Sequence, residues 1–194
     1  MNLANRLTFF RVILAPLFFA VYLLSAQFTG CAVWTVPLLW VIFIVSEITD
    51  MLDGMAARRL KQASDFGKLF DPFADTFMQI TCFLCFVMDG IIPAALFLVV
   101  LYREFAILFI RNLMLQKGIT MGARISGKIK TVTYIVAAVA VLLCVSLQRL
   151  GIAGSLQPVA RIAAISIFSI SVLFSVLSFI DYVSVYRAAV KDKA

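Results

Sequence analysis

The 194-residue chain is 63% hydrophobic and 14% charged, with a mean hydropathy of +1.06 and a formal net charge of +7. That composition excludes a water-soluble domain with a polar surface, and the absence of any histidine excludes histidine bases, histidine-ligated zinc and serine–histidine catalysis. The positive excess suits a surface facing anionic membrane lipid, and no nucleic-acid partner is expected.

Helices and closed barrels are the only structures that span a bilayer, and the long apolar runs here lack the alternation of barrel strands. The expected fold is therefore all-α, a polytopic membrane protein of six transmembrane helices forming one domain over residues 1–194. Apolar stretches of roughly 20 residues place the first span at Leu7–Phe28. It has the length of a span rather than of a signal-peptide core, so it is expected to stay. The second span is Val33–Arg59, and the link before it, Gln27–Ala32, has no Lys or Arg. The third, Gly67–Met88, follows a basic connection, Arg58–Lys68. Its Cys82 and Cys85 lie in an apolar helix without a second cysteine pair, so helix packing is the expectation there rather than metal or redox chemistry. The fourth, Ile91–Leu115, follows the uncharged-to-acidic link Asp89–Pro93, and the fifth, Gly127–Leu147, follows the basic stretch Arg111–Lys130. The sixth is Ile162–Tyr182. This Lys/Arg asymmetry predicts that both termini are cytosolic, with Arg149 and Arg161 as minority charges on the outer side.

Charges inside the spans fall on one side of the membrane. Glu47, Asp50 and Asp53 lie late in the second span, Asp71 and Asp75 open the third, and Arg103, Glu104 and Arg111 follow the apolar outer stretch of the fourth. Arg11 begins the first span, and Lys128 and Lys130 begin the fifth. Ionisable groups in a bilayer are costly unless paired, metal-bound or wetted, so the clustering implies one polar cavity open to the cytosol. A cation transporter would also place carboxylates in a membrane, but a conduit needs polar lining through both halves.

Asp50, Asp53, Gly54, Ala57 and Arg58 recur at steps of three and four and share a helix face, as do Gly67, Asp71 and Asp75. The two spans are expected to be antiparallel neighbours joined by a short basic loop, so that four carboxylates converge at similar depth. Such a group needs compensating charge, and an oxygen-only donor set favours a hard ion, Mg2+ or Mn2+, as a pair. Gly54, Ala57 and Gly67 are small enough for close helix approach or for a bound group. Arg58 either snorkels to the surface or meets a diphosphate. Pro72 fits a first helical turn or a kink.

The arrangement DxxDGxxAR, eight residues, GxxxDxxxD matches every fixed position of the CDP-alcohol phosphotransferase signature, and the chain resembles that family. The resemblance implies a six-span fold, a homodimer, and metal binding by Asp50, Asp53 and Asp71. Asp75 would act as the catalytic base and also touch metal. Gly54, Ala57, Arg58 and Gly67 would hold the CDP moiety. Further pointers are Asn5 through Arg11, Arg103-Glu104-Phe105 with Arg111, and Gly127-Lys128-Ile-Lys130-Thr131, which resemble the bacterial branch that uses sn-glycerol 3-phosphate. Thr76, where many of that branch carry lysine, and Glu47 depart from the pattern. The implied reaction passes a phosphatidyl group from CDP-diacylglycerol to glycerol phosphate at the cytosolic face of a bacterial inner membrane. Arg103, Arg111, Lys128 and Lys130 are the expected sites for the acceptor phosphate, because four cations exceed what Glu104 needs. Inositol phosphate, serine, or diacylglycerol with CDP-choline or CDP-ethanolamine remain alternative substrates within the family.

Overall fold

A computed structural model of the chain describes residues 3–60, 65–116, 125–152 and 154–191, and for residues 3–5, 29, 53–60, 65–69 and 189–191 it describes the backbone alone. Among the described residues all regular structure is helical. The elements are α1 (Leu3–Gln27), α2 (Ala32–Leu60), α3 (Asp65–Met88), α4 (Ala94–Gln116), α5 (Ile125–Arg149) and α6 (Gln157–Lys191), with 3-10 turns at Thr29–Cys31 and Gly154–Leu156.

Five of these helices carry stretches long and apolar enough to cross a bilayer: Arg6–Gln27, Ala32–Leu52, Phe70–Met88, Ile125–Arg149 and Gly154–Ala188, the last including the turn before α6. The other, α4, has 23 residues, but Arg103, Glu104 and Arg111 fall among them. Its length of about 35 Å would still span the hydrocarbon core. The outer faces are apolar where they are exposed. On α2, Trp34, Leu38, Val41, Ile44 and Ile48 point outward while Val36, Leu39, Ile42 and Phe43 are buried, which is the helical repeat of a helix in lipid.

Packing is organised around α1 and α6. α1 lies along both α2 and α3, and α5 packs extensively on α6, which also meets α4. Among the described residues α2 and α3 make little direct contact. The expected adjacency of the second and third spans is thus corrected: α1 stands between them and bridges their polar faces. Small buried residues on both helices, Ala137 and Ala138 on α5 and Ala164, Ser171 and Ser175 on α6, let α5 and α6 approach. Phe83 anchors the centre, with its ring edge-on to Tyr134 at 5.5 Å and to Phe168 at 5.0 Å. Cys82 and Cys85 are free thiols buried in this core, in keeping with packing.

The end of the bundle that holds the α3–α4 turn is tied by two arginines. Arg149 of α5 donates to Asp89 at 2.9 Å and to the Tyr22 carbonyl at 3.1 Å, and its guanidinium sits 4.0 Å from the Tyr22 ring centroid. The Tyr22 hydroxyl donates to the same Asp89 carboxylate at 2.8 Å. Arg161 of α6 donates to the Gly90 carbonyl. The two minority charges of that side are therefore consumed by helix-to-helix links. Two boundaries differ from expectation there. Ile91 and Ile92 are buried in the turn, with their N–H groups on the Phe86 carbonyl, so α4 begins only after Pro93. α6 begins at Gln157, because Pro158 is tolerated in a first helical turn, where its missing N–H has no partner to lose.

Candidate functional site

At the opposite end α1 organises the acidic motif. Arg11 is only 1% exposed, and its Nη1 donates to both Asp50 of α2 and Asp75 of α3. Thr8, one turn earlier, donates from Oγ1 to Asp71 Oδ1 at 2.5 Å. Both residues face the same way because steps of three lie on one helix face. The Asp50 and Asp75 side chains remain about half exposed, at 46% and 47%, so they are open on the side away from Arg11. Asp50, Asp71 and Asp75 are thus brought to one region from two helices. Asp53, Gly54, Ala57 and Arg58 lie on the continuous helix α2 and Gly67 lies on α3, but their side chains fall outside the described residues. Among the described residues no group of three acidic, cysteine or histidine side chains is arranged to hold a metal ion. Asp50 and Asp75 nevertheless converge on one positive centre, and their chemistry is that of hard oxygen donors.

Pro72 lies inside α3 rather than in its first turn. Without an N–H it leaves the backbone carbonyl one turn back without its helical partner. Glu47 lines a small chamber of about 90 Å³ together with Arg11, Asp50, Asp75, Gln79 and Lys130. Its place one turn before Asp50 therefore puts it beside the motif rather than in lipid.

Asp75 also opens onto a larger cavity of about 570 Å³, within the usual range for small-molecule sites. Arg103, Arg111, Lys128 and Lys130 all line it, with Thr76 on the α3 wall and Ser178 and Tyr182 on the α6 wall. The four cations are not equivalent. Arg103 and Lys130 both donate to Glu104 Oε1, at 2.7 and 2.9 Å. Arg111 and Lys128 are exposed and, among the described residues, form no ion pair. The Glu104 carboxylate turns to its neighbour Arg103 and across to Lys130 of α5, and not to Arg111 two turns along its own helix.

Several members of this arrangement were not assigned from the sequence. Arg11 and Thr8 hold the aspartates, Gln79 Oε1 accepts from Lys130 at 3.4 Å, and Ser126 donates to Asp181 at 2.5 Å beside the cavity. For Arg11 a signal existed, since an arginine within an apolar span needs an acidic partner. For the others, short polar residues in apolar helices carry no such mark.

A family model described as CDP-alcohol phosphatidyltransferase matches residues 1–177. Three similar proteins bear the name CDP-diacylglycerol--glycerol-3-phosphate 3-phosphatidyltransferase. That of Treponema pallidum (strain Nichols) is 35% identical, over 98% of this chain and 92% of its own length. That of Bacillus subtilis (strain 168) is 32% identical, over 73% of this chain and 77% of its own. That of Escherichia coli (strain K12) is 30% identical, over 99% and 98% respectively.

Proposed function

The chain belongs to the CDP-alcohol phosphatidyltransferase family, and from that premise we propose that this integral membrane enzyme transfers a phosphatidyl group from CDP-diacylglycerol to sn-glycerol 3-phosphate, releasing CMP. The observation that carries the acceptor is the single cavity shared by Asp75 and four cationic side chains. A dianionic acceptor with a free hydroxyl matches both ends of it, and arginine's planar donors suit phosphate. Serine, choline or ethanolamine would leave that surplus charge without a partner. The similar proteins named above carry glycerol 3-phosphate in their names, which agrees.

Asp75 is the base of the reaction. It takes the proton of an acceptor hydroxyl while that oxygen bonds to the lipid-linked phosphorus, and the bond from that phosphorus to the CMP phosphate breaks. Asp50, Asp53, Asp71 and Asp75 would hold two ions of Mg2+ or Mn2+. The fit rests on the hard oxygen donors and on the convergence of Asp50 and Asp75 upon one cation. Bound there, such ions neutralise diphosphate charge as the transition state forms. Arg58, with the small residues Gly54, Ala57 and Gly67, receives the CDP moiety. Arg111 and Lys128 receive the acceptor phosphate, and Arg103 and Lys130 form the deeper wall.

The reading places this end of the bundle, with both termini, at the cytosolic face of a bacterial inner membrane, which the Lys/Arg asymmetry of the connections supports. The donor's acyl chains then stay in lipid while CDP and the acceptor enter from water. The working unit is a homodimer within membrane lipid, as the family signature implies. The test uses purified protein with CDP-diacylglycerol, magnesium or manganese, and a panel of acceptors, scoring CMP and lipid product. Rapid turnover with a phosphate-free acceptor and none with glycerol phosphate would overturn the acceptor while leaving the family membership intact.

A further inference from the structure

Glu104 is a carboxylate at 4% exposure in the fourth helix, next to Arg103 at 8%. A buried acid on an apolar helix is costly unless it is matched, and this one is matched from two directions. Its Oε1 accepts from Arg103 Nη1 on its own helix and from Lys130 Nζ on α5. Each of the two cations is then held again by a neutral group. Arg103 Nη2 donates to Ser178 Oγ of α6 at 3.3 Å, and Lys130 donates to Gln79 of α3. The Lys130 ammonium also stands 4.4 Å from the ring centroid of the fully buried Tyr134. One carboxylate therefore fastens two cations whose other contacts reach α3, α5 and α6. Lys130 lines both the large cavity and the small acidic chamber, so what fixes Lys130 fixes the partition between them.

We propose that Glu104 is a positioning residue that divides the four cations by task. It neutralises and immobilises Arg103 and Lys130 as a fixed inner wall next to Asp75, and leaves the acceptor phosphate to Arg111 and Lys128 at the outer part of the cavity. The physical reason is electrostatic. An anion in the cavity is drawn towards the strongest uncompensated positive charge. Without Glu104 the most buried cations would win the phosphate, and the acceptor would enter with its phosphate where its hydroxyl must be. With Glu104 in place the inner pair shares one negative charge and the outer pair shares none, so the phosphate is held outward and the hydroxyl is directed inward. Geometry of this kind governs turnover more than affinity.

This rests on the proposed acceptor, and its test separates the two. Binding of inorganic phosphate to purified protein is followed by thermal-shift titration, alongside steady-state kinetics with glycerol phosphate. Glu104→Gln should bind phosphate at least threefold more tightly than wild type while kcat falls at least tenfold and the KM for glycerol phosphate does not rise. A residue that served only folding would not tighten an anion as it lost turnover. Phosphate affinity unchanged or weaker in Glu104→Gln, with wild type active on glycerol phosphate, overturns the division of tasks alone. Wild type that binds phosphate but does not turn over glycerol phosphate overturns the acceptor, and the phosphate titration still decides the role of Glu104. If the glutamine variant does not survive purification, Glu104→Asp keeps the charge and shortens its reach. It should lower kcat at least fivefold with phosphate affinity within twofold of wild type, and an unchanged kcat overturns the proposal.

Discussion

Arg11, buried in α1, donates from Nη1 to Asp75, the aspartate that also opens onto the large cavity. The same nitrogen serves Asp50, so one guanidinium joins the two halves of the acidic motif through a third helix. Removing it leaves two carboxylates facing each other. Because both are about half exposed, water screens part of the repulsion, and the loss is about 1–2 kcal/mol rather than the larger figure for a fully buried pair. Arg11→Met should lower the melting temperature by about 2–8 °C in chelator. Added magnesium or manganese should close most of that gap, since the same carboxylates would then be neutralised by the ion. A gap that stays constant as metal is added would show that Arg11 and the ions do not share these carboxylates.

Replacing Asp75, the proposed base, by asparagine removes its capacity to accept a proton and keeps the shape. Asp75→Asn should retain CDP-diacylglycerol binding and lose about 10²- to 10⁴-fold in turnover, the usual worth of a positioned base. Ligand binding and single-turnover rates on the same preparation check it. Near-normal turnover would refute the role of base.

What the sequence disclosed and what it withheld divide along a physical line. Long apolar runs gave the six helices, and the spacing of Asp50, Asp53, Asp71 and Asp75 was visible because helical periodicity and charge in a membrane are local signals. Their partners were not visible. Arg11 lies 39 residues from Asp50 and 64 from Asp75, and Lys130 meets Glu104 across two helices, so only the packing order α2–α1–α3 and α4–α6–α5 reveals them. The assumption that consecutive spans pack together hid the place of α1. The cluster of cations was legible as a cluster, yet its division into paired and unpaired members depends on which way Glu104 turns, and helical spacing alone permits either direction.

Arg149 and Asp89 should behave as a coupled pair remote from the chemistry. Arg149 is 8% and Asp89 19% exposed, so either one left alone is a poorly solvated charge. Arg149→Met should cost about 3 kcal/mol and lower the melting temperature by about 6–12 °C. The double variant with Asp89→Asn should lose less than the sum of the two single variants. CMP release per folded molecule should stay near wild type in both. Additive losses would mean that the two side chains do not stabilise each other.

Arg111 and Arg58 should separate the two substrates. An exposed arginine in the cavity, with no ion pair among the described residues, that loses a charge-assisted hydrogen bond to phosphate gives up about 1.5–3 kcal/mol, or roughly 10- to 100-fold in affinity. Arg111→Ala should raise the KM for glycerol phosphate by that order and change the KM for CDP-diacylglycerol little. Arg58→Ala should do the reverse, if Arg58 receives the CDP moiety as proposed. Equal effects of both variants on both substrates would dissolve the distinction between the two subsites.

Orientation can be read from a native cysteine. Cys31 is exposed in the turn between α1 and α2, whereas Cys82, Cys85 and Cys144 are buried in the helices. It lies at the end of the bundle that also carries the α3–α4 turn, since α1 and α3 run from the acidic site to that end. If the acidic site is cytosolic, a membrane-impermeant thiol reagent added to intact spheroplasts should modify wild type at Cys31 and leave Cys31→Ser untouched. In that background, Arg187→Cys, an exposed position near the end of α6, should react only after the membrane is opened. The two positions are separated by an odd number of spans, five from α2 to α6, so they must react from opposite sides. Labelling of both from outside would mean that one of the six helices does not cross. Labelling with the sides exchanged would keep the six-span topology and turn the site outward, where the Lys/Arg-rich connections are not expected to lie.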